Sequence, residues 1–114
     1  MKELFDKVCA DCSRNVTKNY STSFSLATRM LSKNIRQDIY NIYGFVRFAD
    51  EIVDTFHNYD KEILLNRFID ELEYSLKNDI SLNPILNSFQ ITVKKYNIDK
   101  HLIDSFLSSM RLDL

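Results

Sequence analysis

One glycine, Gly44, and one proline, Pro84, are all that this 114-residue chain offers as turn punctuation. Sheets joined by tight hairpins need residues that accept left-handed or fixed backbone angles at each reversal, so strands with short turns are disfavoured. The chain is expected to be all-α. Its 45% hydrophobic content suffices for one core if the whole length folds together.

Helical periodicity divides the chain into six segments. The first covers about residues 2–18 and places Phe5, Val8, Cys9, Cys12 and Val16 on one stripe. The second follows Ser21, a residue type that caps helix starts, and carries Phe24, Ala27 and Leu31. The third runs over about 34–57 and contains Gly44 in its middle, where close packing against another helix would justify it. The fourth, "DKEILLNRFIDELEYSLKN", has Leu65, Phe68, Ile69, Leu72 and Leu76 on one face. The fifth opens at Asn83–Pro84, a capping residue followed by proline at the first helical position. The sixth starts near Asp99 and presents Ile103, Phe106, Leu107 and Met110.

Charge and cysteine usage narrow the function. A net charge of −1, from 15 basic and 16 acidic residues, gives no block of positive charge for a nucleic acid backbone, so no nucleic acid partner is expected. No stretch reaches the roughly 18 apolar residues of a spanning helix, and the start "MKELFD" does not read as a signal peptide. A cytoplasmic protein is expected, with peripheral membrane contact at most. Cys9 and Cys12 form a C-x-x-C, but both fall on the apolar stripe of the first helix and no second cysteine pair exists. They read as core residues rather than a redox or zinc site.

The third helix departs from this ordinary pattern. At about 100° per residue, Tyr43, Arg47, Asp50 and Asp54 share a band roughly 60° wide, flanked by Glu51. Ile39, Ile42, Phe45, Val46, Phe48, Ala49, Ile52 and Val53 occupy the rest of the circumference. A helix apolar on most sides belongs inside a bundle, which sets these charges against the core or a cavity. Buried charges are costly unless paired or bound to a metal, and Asp50 and Asp54 lie one turn apart, where like charges repel. One reading is a structural ion pair between Arg47 and either Asp50 or Glu51. The other is that the carboxylates hold a hard divalent cation such as Mg²⁺, which with Arg47 grips a phosphate or diphosphate.

The segments "YSTSFSLATRML" and "IYNIYGFVRFADEIVDT", with the S-x-S-F and R-x-x-D-[DE]-x-x-D motifs that they carry, resemble the amino-terminal part of the squalene and phytoene synthase family, most closely its bacterial phytoene synthases. The resemblance implies an isoprenoid-synthase-type helical bundle, of which residues 1–114 would form the amino-terminal portion without the carboxy-terminal half. It also implies the head-to-head condensation of two prenyl diphosphates. By the same resemblance Asp50, Asp54 and Glu51 would be the acidic positions of an Mg²⁺ site, and Arg47, Ser21 and Ser23 would bind substrate diphosphate. Tyr43 would line that site, Phe24 would stand at the start of the prenyl channel, and Tyr20 would occupy a variable flap position. Phe45, Phe48 and Phe24 are either core or, where they face the cavity, a dry wall for a carbocation.

The family's second aspartate-rich motif has no counterpart here, because no D-x-x-x-D recurs after Asp54. An isolated chain of this kind is expected to leave apolar surface uncovered, to self-associate, and to be inactive alone. Geranylgeranyl diphosphate condensation to phytoene is the expected family reaction. Squalene or dehydrosqualene synthesis from farnesyl diphosphate is the alternative within the class, and a non-catalytic remnant or helical subunit is the alternative outside it.

Overall fold

The computed structural model describes residues 1–114, folded as six helices with no strand. They are α1 (Lys2–Tyr20), α2 (Thr22–Thr28), α3 (Lys33–Asp54), α4 (Lys61–Asn78), α5 (Pro84–Tyr96) and α6 (Lys100–Leu112). Helices α1, α3 and α5 pack against one another, α4 covers α3 and α5, and α6 closes over α3 and α4. The short α2 lies against α1.

Local chemistry sets the boundaries. Side chains of Ser21, Ser32, Asp60, Asn83 and Asp99 each accept a backbone N–H at the start of the following helix. Ser21 also ends α1, so one extended residue separates α1 from α2. With no glycine to take the left-handed position after α4 and α5, Asp79 (φ 63°) and Asn97 (φ 51°) take it.

The core is built around Phe45 of α3. Its ring stacks on Phe89 of α5 with centroids 3.9 Å apart, and meets Phe68 of α4 and Phe106 of α6, each at 5.6 Å. Phe45 is therefore a packing residue. Leu65, Leu72 and Leu86 are fully buried around it. Gly44 faces α1 and α5: a Cβ there would stand 3.4 Å from Ser13 Oγ and 3.5 Å from Ile85 Cγ2.

Three expectations need correction. The buried stripe of α1 is Cys9, Ser13 and Thr17, while Val8 is half exposed. Small polar residues win because three helices approach closely along this seam, and Thr17 returns its hydroxyl to Ser13 O at 2.9 Å. Helix α2 turns Ser25 and Thr28 inward, leaving Phe24 and Leu31 about 40% exposed. Seven residues contribute too little apolar surface to choose the inward face, and Thr28 finds its own partner in Phe24 O at 2.8 Å. Finally, α3 ends at Asp54 rather than near 57, because His57, Asn58 and Tyr59 form the turn that leads to the α4 cap at Asp60.

One polar network ties α3 to α5. Asp38, buried, accepts hydrogen bonds from Thr92 Oγ1 (2.9 Å), Lys95 Nζ (2.7 Å) and Tyr96 Oη (2.9 Å), and Asn41 donates to Thr92 at 3.0 Å. No helix is long and apolar enough to cross a membrane.

Candidate functional site

The polar stripe of α3 meets the α1–α2 corner. Tyr20, the last residue of α1, places its ring under the Arg47 guanidinium, 5.0 Å from centroid to Cζ. One turn into α2, Phe24 stacks on Tyr43 with centroids 5.0 Å apart and 23° between ring planes. These contacts bring Tyr20, Phe24, Tyr43, Arg47 and Glu51 into one continuous surface. Ser21 joins it as the α2 cap, its Oγ accepting from Phe24 N at 3.1 Å, and Ser23 stands exposed on the first turn.

Arg47 is only partly engaged. Its Nη2 donates to Glu51 Oε1 at 2.9 Å, whereas its Nε is buried with no hydrogen-bond partner. Glu51 Oε1 also accepts from Thr55 Oγ1 at 2.6 Å. That hydroxyl, then the Tyr20 hydroxyl and Arg47, hold the Glu51 carboxyl below the usual carboxylate range despite its desolvation. The same contact with Glu51, with burial, pushes the Tyr20 phenol up. The ion-pair reading of the sequence thus applies to Glu51 and leaves the two aspartates out.

Asp50 is half-buried, but Asp54, expected against the core or a cavity, is exposed because it ends α3; neither forms an ion pair or a side-chain hydrogen bond with the protein. Burial pushes the Asp50 carboxyl up; Arg47 opposes this, while Asp54, Asp113 and Glu51 add like charge. A half-buried carboxylate with no protein donor, one turn from a second carboxylate, is a donor set that suits a hard cation such as Mg²⁺. Glu51, committed to Arg47 and Thr55, is the least available of the three. No group of three or more His, Cys, Asp and Glu side chains is gathered to hold a metal.

Sequence reasoning missed Thr55 and Asp113. The first had a signal, since Thr55 stands four residues after Glu51 on the same helix face. Asp113 sits at the end of α6, brought toward Asp50 only by the packing of α6 on α3. Cys9 is buried, Cys12 half-buried, and both are free; burial pushes the Cys9 thiol up, away from thiolate chemistry.

A comparison with the curated proteins gives no match. The sequence pattern of the family described as squalene/phytoene synthase matches residues 17–114, a range that includes the α1–α2 corner, all of α3 and every aspartate and arginine of the surface just described. A helical fold, a serine pair at a helix corner and an arginine beside two unpartnered aspartates agree with that match, and the chain belongs to the squalene/phytoene synthase family of prenyltransferases.

Proposed function

We propose that this chain supplies the diphosphate-binding corner and the first acidic wall of a head-to-head prenyltransferase, acting on two geranylgeranyl diphosphates to give phytoene. The observation that carries the reading is the pairing of a partly engaged arginine with two aspartates that have no protein partner. Arg47 is held in place by Tyr20 and Glu51 and keeps a buried Nε without an acceptor. A diphosphate oxygen would satisfy that donor with a charge-assisted hydrogen bond.

Each residue then has a task. Asp50 and Asp54 would hold Mg²⁺, with Glu51 orienting Arg47 instead of serving as a primary ligand. Bound Mg²⁺ supplies positive charge that stabilises the diphosphate as it leaves. Arg47 contributes fixed charge to the same leaving group, and its planar fork can meet two oxygens at once. Tyr20 and the capping Ser21 fix the corner, so that exposed Ser23 can close toward the phosphates. The Phe24–Tyr43 stack forms an apolar edge beside the charges, suited to the first carbons of a prenyl chain that must stay dry.

Farnesyl diphosphate is the alternative substrate, giving squalene or dehydrosqualene, because chain length is read by cavity depth beyond these residues. A second reading, a helical subunit that completes its site with further helices, is favoured by one observation: Phe24, Leu26, Leu31 and Ile35 along α2 and the start of α3 are exposed. The deciding test incubates the protein with Mg²⁺ and labelled geranylgeranyl or farnesyl diphosphate, alone and with cell extract, and identifies the hydrocarbon product. Product from the protein alone supports the catalytic reading. Product only with extract, and lost with Asp50→Asn, supports the subunit reading. No product in either case overturns both.

A further inference from the structure

We propose that Thr55 is a positioning residue, which through Glu51 holds the Arg47 guanidinium in the orientation that leaves its Nε and Nη1 donors to a substrate diphosphate. The inference rests on the reading of Arg47 as a diphosphate donor and names the residue that aims it.

Thr55 closes α3 and is tied to Glu51 twice. Its backbone N–H donates to Glu51 O at 3.0 Å as the helix cap, and its Oγ1 donates to Glu51 Oε1 at 2.6 Å. The backbone bond fixes where the hydroxyl stands, and a branched side chain with one stiff torsion keeps it there. A hydroxyl-to-carboxylate bond this short is charge-assisted and stronger than a bond between neutral groups. The same oxygen, Oε1, accepts from Arg47 Nη2 at 2.9 Å. Arg47, Glu51 and Thr55 therefore stand at successive i,i+4 steps along α3, joined by two bonds that meet on one atom.

The relay does what the ion pair alone does not. An arginine and a glutamate one turn apart are both long and flexible, and such pairs hold their geometry weakly. Arg47 also has a competing partner, because Asp50 follows it by three residues and already senses its charge. By holding Glu51 in place, Thr55 keeps Arg47 on Glu51 and off Asp50. A guanidinium is planar and rigid, so one anchored Nη2 sets the direction of every other N–H in the plane. The plane itself is covered by the Tyr20 ring, 5.0 Å from Cζ. One restraint from α1 thus fixes the plane, and one from the end of α3 fixes the rotation within it. What remains is a buried Nε with no acceptor, which is costly until a ligand oxygen meets it.

The test follows the arginine Nε–H signals of the whole chain by nitrogen-15 NMR, with Arg47 assigned by the signal lost in Arg47→Lys. The buried Arg47 Nε–H should exchange slowly with water in the parent. Thr55→Val, which keeps the branched shape and removes the donor, should quicken that exchange about tenfold, and Thr55→Ser should keep it slow. In a Glu51→Ala background Thr55→Val should change nothing further, because the two residues act on Arg47 in series. Inorganic diphosphate with Mg²⁺ should shift the Arg47 signal of the parent, with affinity about fivefold lower in Thr55→Val and parent-like in Thr55→Ser. Circular dichroism of each variant checks that the helices persist. Parent-like exchange or diphosphate affinity in Thr55→Val, or an equal loss in the Glu51→Ala background, would overturn the inference and leave Arg47 as the diphosphate donor. A parent Arg47 signal that does not respond to diphosphate would overturn the diphosphate reading itself, and this inference with it.

Discussion

Phe24 of α2 lies stacked on Tyr43 of α3, 5.0 Å between centroids, while its own side chain stays 40% exposed. This pair is the aromatic clasp between α2 and the polar stripe of α3. Phe24→Ala should release α2 at a cost of about 1 kcal/mol. Amide hydrogen exchange over residues 22–29 should quicken, with α4 to α6 unchanged. Unaltered exchange in α2 would assign its order to the Ser21 cap instead.

Asp38 makes the fold acid-sensitive. Burial alone would raise its carboxyl, but hydrogen bonds from Lys95, Thr92 and Tyr96 outweigh that and hold it below its ordinary value of 3.8. A depressed folded value means the stabilisation is complete above the unfolded value and disappears as pH falls through the folded one. Urea unfolding should therefore show stability falling below about pH 3.8 in the parent and a flatter response in Asp38→Ala. At neutral pH that substitution should cost about 2–3 kcal/mol.

Gly44 should accept one methyl group and no more. The atoms a Cβ would meet stand at 3.4 and 3.5 Å, the near edge of ordinary contact. Gly44→Ala is expected to be neutral or to stabilise by up to about 1 kcal/mol through helix propensity. Gly44→Val should destabilise by about 2 kcal/mol, since its branches enter the α1–α3–α5 seam. Thermal melts of the two variants separate these outcomes.

Asp50 should show opposite effects on stability and on activity. Burial, then the like charges of Asp54, Asp113 and Glu51, raise its carboxyl against the pull of Arg47, so ionisation strains the folded chain. Asp50→Asn should raise the urea midpoint at pH 7 by a few tenths of a kcal/mol in stability. In the assembled enzyme the same change, and Asp54→Asn, should lower turnover by about 100-fold or more. Unchanged Mg²⁺-dependent turnover in both variants would remove the aspartates from the metal site.

Arg47→Lys separates charge from geometry. The ammonium keeps the ion pair with Glu51 but loses the fork and much of the stacking on Tyr20. Affinity for prenyl diphosphate should fall about tenfold. Parent-like kinetics would make Arg47 a purely structural partner of Glu51.

The sequence by itself determined the helices and the identity of the family. Caps at Ser21 and Asn83, the helix start near Asp99, the proline opening α5 and the spacing of Arg47, Asp50 and Asp54 are all local, each carried by residues close together in the chain. The tertiary structure decided which faces are inside. Ser13 and Thr17 look like surface residues until α3 and α5 close on α1, and Asp38 looks solvated until Thr92, Lys95 and Tyr96 arrive from more than 50 positions away. Phe24 and Leu31 look like core until α2 proves too short to set its own orientation. Within the site, the sequence left Arg47 with a choice of acidic neighbours. The Tyr20 ring, brought from α1, lies under the guanidinium while Arg47 pairs with Glu51, and Asp50 and Asp54 are left without a protein partner. Periodicity records what each helix prefers to bury, but only the contacts between helices fix what is buried, because a polar group is stable inside wherever a distant chain segment satisfies it.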